Sequence, residues 1–204
     1  SQKILYKKNF PSPHQRIIGF SFYGDTNSDH SKRRGYFNGI QANLELIPKF
    51  YPGWTIRLYL DLSKTDKLIN EICDLACNDT NIDLCDVKNL PGTPFIDAAE
   101  IFLGIGDFFQ PWTLKYTLDF DTLKVLISFK IVLKNSVDVY MSRDLDSRFS
   151  EREKAATEEW LRSNKEFHFM RDHPYHGSVI LGGCWGCKLT PKVLKPPILQ
   201  IFTP

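Results

Sequence analysis

The spacing of apolar residues predicts a strand and then a helix at the start of the chain. An apolar and aromatic run at 17–23 ends at Gly24 and Asp25, which is typical of a buried strand that leads into a loop. Apolar residues then recur at helical spacing, which predicts a helix that begins near Tyr36 and ends near Pro48. This order is the beginning of an α/β pattern.

Two more strands and a second helix follow at short spacing. Alternation over 55–61 predicts a second strand, and the apolar run at 82–87 predicts a third. Between them, apolar residues within 68–75 have helical spacing, with Ser63 available as a cap. Strands that alternate with helices across short connections indicate a parallel sheet covered by helices, so the sequence predicts an α/β fold.

A similar pattern returns in the last third of the chain. Apolar alternation over 137–142 predicts a strand. Ser150 and Glu153 have the spacing of a capping box, which predicts a helix that continues through Leu161. The aromatic run at 167–170 predicts one further strand.

The same pattern divides the chain into parts. Residues 1–16 lack periodicity and are predicted to be an N-terminal arm, whereas 17–190 are predicted to form one α/β domain. Within that domain, 95–135 show no consistent pattern and are interpreted as an insert. Residues 191–204 are predicted to be a C-terminal tail.

Composition narrows the class of protein. The 204 residues include 26 Lys and Arg against 24 Asp and Glu, a net charge of +2, which argues against a dedicated nucleic-acid binder. No apolar run reaches the roughly 18 to 20 residues of a membrane span. The five cysteines are an odd number in a chain long enough to build a core, which argues against a full disulfide framework.

The strongest chemical signal is Asp144-Leu145-Asp146, directly after the strand at 137–142. Side chains two apart on an extended chain point to the same side, so these two carboxylates are predicted to share one hard cation, Mg²⁺ or Mn²⁺. The carboxyl end of a strand in a parallel sheet is also where ligands bind. The plainer alternative is that both aspartates solvate the strand end and cap the next helix.

Two arginines flank the pair of aspartates. Arg143 and Arg148 are candidates for phosphate contact, because a guanidinium fork matches the geometry of phosphate oxygens. The alternative for each is an ion pair within the protein.

Several motifs around these residues resemble one enzyme family. They are Ser-Arg-Asp-Leu-Asp-Ser-Arg at 142–148, Glu-Glu-Trp-Leu at 158–161, Phe-His-Phe-Met-Arg-Asp-His-Pro at 167–174 and Ile-Leu-Gly-Gly-Cys-Trp-Gly at 180–186. They resemble a family of GT-A-type glycosyltransferases, and a looser match in the same order covers 17–63. The resemblance implies a three-layer nucleotide-diphospho-sugar transferase fold with a mostly parallel sheet.

The resemblance also implies a reaction. A sugar would pass from a nucleotide-diphosphate donor to a glycan, lipid or protein acceptor, with Mn²⁺ or Mg²⁺ held by the Asp-x-Asp pair on the donor diphosphate. Asp146 is expected to bind the cation directly, and Asp144 to bind the ribose or a metal-bound water. The motifs are absent from 95–135 and after Leu189, so we expect a truncated member in which the donor half is intact.

Further site residues are expected at other strand ends. The base and ribose are expected beside Tyr23, Gly24 and Asp25, where Tyr23 could stack or simply be buried in the core. Gly182 and Gly183 are expected to let the backbone approach the donor, or to form a tight turn.

The catalytic base is expected to come from Asp172 or His173, either of which could take a proton from an acceptor hydroxyl. The alternative is that Asp172 pairs with Arg171 or caps the turn at Pro174.

The sequence is also compatible with other functions. One is a nucleotide-sugar-binding remnant without turnover, and another is a haloacid-dehalogenase-type phosphotransferase, although Arg148 stands where that motif needs Thr or Val. A zinc site formed by His168, His173 and His176, and a redox role for Cys184 and Cys187, are weaker alternatives.

Localisation is only weakly indicated by the sequence. The Asn-Asp-Thr sequon at Asn78 would fit a secretory or Golgi lumen in a eukaryote, with the cytoplasm as the expectation otherwise.

Overall fold

The computed structural model describes residues 14–23, 30–62, 68–78, 81–86, 137–171, 174 and 183–190. Within these residues there are three helices: α1 (His30–Phe50), α2 (Leu68–Asn78) and α3 (Glu151–Arg162). The strands are β1 (Gln15–Tyr23), β2 (Thr55–Asp61), β3 (Ile82–Asp86), β4 (Val137–Arg143), β5 (Phe167–Phe169) and β6 (Cys184–Lys188). The α/β class predicted from the sequence is confirmed.

The strands form one mixed sheet in the order β3-β2-β1-β4-β6-β5. The pairs β1–β2, β1–β4 and β2–β3 are parallel, whereas β6 runs antiparallel to both β4 and β5. The expected parallel sheet is therefore present in four strands, and an antiparallel pair extends it at one edge. Strand β6 was not predicted, because a segment with two cysteines around Trp185 and Gly186 lacks the alternation that identifies a strand.

Successive strands are added on one side of β1 and then on the other, so the order of strands reverses at β1. The chain runs from β1 to β2 and β3 on one side, and β4 pairs with β1 on the other side. In open α/β sheets, the crevice outside the carboxyl ends of the two strands at such a switch is the usual ligand site. Here those ends are Tyr23 of β1 and Arg143 of β4.

One face of the sheet forms the main core with the helices. Ile18, Phe20 and Phe22 of β1 belong to the same buried cluster as side chains from all three described helices, including Ile40 and Trp160. These strand positions are two apart, as expected for residues on one face. Burial of this apolar surface is the main stabilising contribution to the fold.

The opposite face of the sheet is also buried but carries charge. Arg57 and Asp83 are neighbours across β2 and β3, and Arg57 Nη2 donates to Asp83 Oδ2 at 3.0 Å. Beside them, a Cβ on Gly19 would lie 2.1 Å from the hydroxyl oxygen of Tyr140. Gly19 therefore provides the space that the Tyr140 ring occupies.

Helix α1 is longer than the sequence pattern predicts. It begins at His30 rather than near Tyr36, because its first turn is polar and gives no apolar period. It also continues through Pro48 to Phe50. Proline lacks the N–H that would bond to the preceding turn, but Ile47 and Phe50 are both buried in the core, and that burial stabilises the last turn.

Helix α3 has a defined cap at each end. The Ser150 hydroxyl accepts from the backbone N–H of Glu153 at 3.2 Å, which confirms the predicted start. At the other end, Lys188 of β6 donates to the carbonyls of Trp160, Leu161 and Ser163 at 2.9, 3.1 and 2.7 Å. A cation at the C-terminus of a helix satisfies its last carbonyls and opposes the helix dipole.

In the part of the chain that the structure describes, no helix combines the length and the apolar character that crossing a membrane requires.

Replacing Lys188 with Met should destabilise the protein by about 1 to 2 kcal/mol, because three carbonyls lose a charged donor and the Trp160 ring loses a cation that lies 5.6 Å from its centroid. Urea unfolding of Lys188→Met measures this. The exposed Lys165→Met is the control and should stay within about 0.5 kcal/mol of wild type. An equal loss in the two variants would contradict the capping role.

Candidate functional site

The two aspartates lie in a tight turn at the carboxyl end of β4. The backbone N–H of Ser147 donates to the carbonyl of Asp144 at 3.3 Å, so residues 144–147 form a turn, here called the Asp-x-Asp turn. The strand ends at Arg143. The premise that the two carboxylates alternate along an extended chain is therefore wrong, and a turn sets their directions instead.

Leu145 separates two aspartates with different environments. Its side chain is buried in the main core, while Asp144 is partly buried and Asp146 is exposed. The buried leucine anchors the turn to the core, because displacing it would expose apolar surface to water. Asp146 is the more accessible carboxylate, and its role as the direct cation ligand stays a prediction.

The Leu145 carbonyl is surrounded by polar and backbone contacts. It accepts from Nη1 of Arg148 at 2.7 Å and from Nδ2 of Asn43 in α1 at 3.4 Å. Gly39, one helical turn before Asn43, approaches so closely that a Cβ there would lie 2.0 Å from this oxygen. The middle of the Asp-x-Asp turn therefore packs directly against α1.

Arg148 is exposed, and its side chain folds back to contact the carbonyls of the preceding turn. Its Nη1 donates to the carbonyls of Leu145 and Ser147 at 2.7 and 3.0 Å. Both bonds use the same nitrogen, so Nε and Nη2 are not involved in them. The predicted phosphate contact of Arg148 is geometrically compatible with this arrangement.

Arg143 occupies a different environment. It is buried, its Nε donates to Glu153 of α3, and its Nη1 donates to the carbonyls of Ser142 and Trp185 at 2.7 and 3.1 Å. The geometry favours the ion pair within the protein that the sequence left open. Contact between Arg143 and phosphate stays a prediction, and it would require this buried cluster to open.

Gly183 lies against Asp144. A Cβ on Gly183 would be 2.1 Å from both Cγ and Oδ2 of Asp144. The sequence predicts a close approach at Gly183, and one is present, but the group that it accommodates in the structure is the Asp144 carboxylate. Direct approach of a donor to Gly183 stays a prediction.

Other predicted site residues fall beyond the structural description. Tyr23 ends β1, but its side chain is not among those described. Gly24, Asp25, Asp172, His173 and Gly182 lie outside the described residues.

Among the described residues, no group of three or more His, Cys, Asp or Glu side chains has the arrangement of a metal site. A cation on the Asp-x-Asp turn would therefore be completed by oxygens from outside that set. Mg²⁺ characteristically combines one or two carboxylates with waters and substrate phosphates, so a two-carboxylate turn is compatible with it.

His168 is half-buried on the edge strand β5. Its ring stacks on Trp160 of α3, with centroids 5.2 Å apart and planes at 24°. Burial, and secondly the positive charge of Arg143, lower the pKa of His168 to about 4. The ring is therefore neutral at physiological pH. His173 and His176, its partners in the zinc alternative, lie outside the described residues.

The two cysteines of β6 lie on a regular strand. Positions three apart on a strand face opposite sides, so Cys184 and Cys187 are not arranged as a disulfide pair, and neither forms a disulfide. Burial raises the pKa of Cys187 to about 12. Reactive redox cysteines have lowered pKa values, so this environment does not favour the redox alternative.

Three residues that support the turn were not predicted as site residues from the sequence. Gly39 and Asn43 lie within 17–63, the range of the looser family match, and were given no role there. Glu153 was interpreted only as part of a capping box. The spacing of hydrophobic residues predicts helices and strands, but it does not indicate which helix contacts which turn. A glycine inside a helix, where it costs about 0.5 to 1 kcal/mol relative to Ala, is the signal that could have identified Gly39.

Comparison of the chain with protein families, curated proteins and solved structures gives no match. The functional interpretation therefore depends on the geometry of the Asp-x-Asp turn and its surroundings.

Replacing Arg143 with Met should cost about 3 kcal/mol, because the carboxylate of Glu153, whose side chain is 13% exposed, loses its cation. Urea unfolding measures the loss. Arg162, in an exposed pair with Glu158 at 3.7 Å, is the matched control, and Arg162→Met should cost less than about 0.5 kcal/mol. Similar losses in the two variants would show that Arg143 is not a structural cation.

The free energy of unfolding should decrease as the pH falls from 6.5 to 4. His168 has its lowered pKa only in the folded protein, so the unfolded chain binds a proton first and acid favours unfolding. We expect an effect of about 2 kcal/mol, reduced from the full value because the ring is partly exposed. His168→Phe keeps the stacking and should show a smaller decrease in urea unfolding over this interval. If the free energy of unfolding falls equally with pH in wild type and His168→Phe, the pH dependence does not come from His168.

Proposed function

We propose that the protein is a metal-dependent glycosyltransferase with a GT-A-like fold, which binds a nucleotide-diphospho-sugar through a divalent cation on Asp144 and Asp146. The observation that carries this proposal is the position of the Asp-x-Asp turn. It follows β4 at the point where the sheet order reverses beside β1. Ligands of open α/β sheets bind in that crevice.

The chemistry of the turn suits a diphosphate. Two carboxylates attract a hard cation, and a cation such as Mn²⁺ or Mg²⁺ in turn binds phosphate oxygens. When bound, the cation would neutralise the negative charge that grows on the leaving nucleoside diphosphate, a contribution of several kcal/mol. Asp146 holds the cation in this proposal because it is exposed, and Asp144 is directed by its contact with Gly183.

Arg148 supplies the second charge in the proposed site. Its Nη1 donates to the carbonyls of Leu145 and Ser147, which holds the guanidinium against the turn. A guanidinium fork that is already oriented loses little side-chain entropy when it binds a phosphate. The donor diphosphate would thus meet a metal cation and an arginine on one short segment.

Strand β1 would provide the nucleoside side of the donor site. Its carboxyl end is adjacent to that of β4, since Phe20 pairs with Arg143 in the parallel register. In this proposal, Tyr23, Gly24 and Asp25 receive the base and ribose. Asp172 or His173, after β5, takes the proton from the hydroxyl of a glycan, lipid or protein acceptor.

A titration of the purified protein with nucleoside diphosphates, with and without Mn²⁺, tests the proposal. We expect binding that requires Mn²⁺ and that weakens at least tenfold in Asp146→Asn, because the amide keeps the shape of the side chain but removes the charge. Asp74→Asn, an exposed change on α2, is the matched control and should bind as wild type does.

Three outcomes separate the alternatives. Binding that ignores both the metal and Asp146→Asn would contradict a donor site on this turn. Metal-dependent binding without release of nucleoside diphosphate from any donor sugar would identify a binding protein without turnover. Hydrolysis of a phosphomonoester, with no binding of nucleotide-sugars, would instead identify a phosphotransferase.

A further inference from the structure

We infer that Gly39 and Asn43 of α1 are positioning residues, which hold the Asp-x-Asp turn in one conformation through the carbonyl of Leu145. The inference rests on the proposed function for its consequence, because a fixed turn would keep Asp144 and Asp146 oriented for a cation. The turn geometry itself can be tested without any ligand.

The backbone of the turn leaves no space for a side chain at Gly39. A Cβ at Gly39 would lie 2.0 Å from the carbonyl oxygen of Leu145 and 2.9 Å from the carbonyl carbon. These are backbone atoms, so they cannot move aside as the end of a long side chain can. Gly35, four residues earlier in α1, has nothing within 4 Å of its Cβ position. The contact between α1 and the Leu145 carbonyl therefore requires glycine at position 39 but not at position 35.

Asn43 is a buried amide that forms a hydrogen bond to the turn. The residue is 1% exposed and lies among apolar side chains of the main core, where an amide is costly unless it is hydrogen-bonded. Its Nδ2 donates to the Leu145 carbonyl at 3.4 Å. Its Oδ1 is buried with no hydrogen-bond partner among the described residues. An apolar residue would avoid that cost, so the donor that Nδ2 supplies to the turn is what the asparagine contributes.

The two contacts act on the same atom from one helix. Gly39 sets how closely α1 can approach the Leu145 carbonyl, and Asn43 supplies a donor to it. Arg148 completes the set from within the loop at 2.7 Å. Displacing the carbonyl would rotate the peptide that links Leu145 to Asp146, and the direction of the Asp146 carboxylate would change with it.

The first test compares two glycine substitutions on α1. Gly39→Ala should accelerate amide hydrogen exchange at 144–148 and weaken Mn²⁺-dependent binding of nucleoside diphosphate at least tenfold. Gly35→Ala should leave both measurements at wild-type values, and its free energy of unfolding should stay equal or rise, because Ala is the better helix former. The comparison separates displacement of the turn from a general effect of alanine on α1.

The second test uses a change of charge at Asn43. In Asn43→Asp, burial should raise the pKa of the new carboxyl group above its ordinary value of about 3.9. The protonated form can still donate to the Leu145 carbonyl, whereas the carboxylate cannot. Protection of 144–148 from exchange, relative to wild type at the same pH, should therefore be nearly normal at pH 5 and lost at pH 8. Asn38→Asp, exposed on the same helix, should show no such pH dependence. This variant also decides the question if Gly39→Ala does not fold.

Wild-type exchange at 144–148 both in Gly39→Ala and in Asn43→Asp at pH 8 would overturn the inference. Failure of the wild-type protein to bind any nucleoside diphosphate with Mn²⁺ would overturn the proposed function instead, and exchange at the turn would still decide the role of Gly39 and Asn43. Accelerated exchange together with weakened binding would support both.

Discussion

The buried guanidinium of Arg143 joins the elements that surround the Asp-x-Asp turn. It is the last residue of β4, and it bonds to Glu153 in α3 and to the carbonyl of Trp185 in β6. The turn therefore starts from a strand end that is bonded to α3 and β6. After the turn, the chain enters α3 beside the ion pair of Arg143 and Glu153. A buried charge that loses its partner is strongly unfavourable, so this arrangement resists local opening.

The turn is then held from two further sides. On one side, α1 contacts the carbonyl of Leu145, while the leucine side chain enters the core. On the other side, Gly183 accommodates the carboxylate of Asp144. Asp146 is the exposed carboxylate of the turn. Rigid support around one accessible charged group is what a site needs if it is to bind an ion without first paying to order its ligands.

Local patterns account for most elements but not for all their limits. Strand β2 and the start of α3 agree with the prediction, because alternation and the Ser150 cap are local signals. The end of α1 disagrees, since the local signal of Pro48 is outweighed by burial of Ile47 and Phe50. Strand β6 was missed because its identity depends on pairing with β4 and β5, which no pattern within Cys184–Lys188 encodes.

Periodicity along short stretches of chain is enough to predict the α/β class and the position of Asp144 and Asp146 after a strand. Three features become visible only in the fold: the two aspartates lie in a turn, Arg143 is buried against Glu153, and α1 supports the turn. These features depend on contacts between residues far apart in the chain. Asn43 and Leu145 are 102 positions apart, and a contact of that kind forms only when the sheet brings β1 and β4 together.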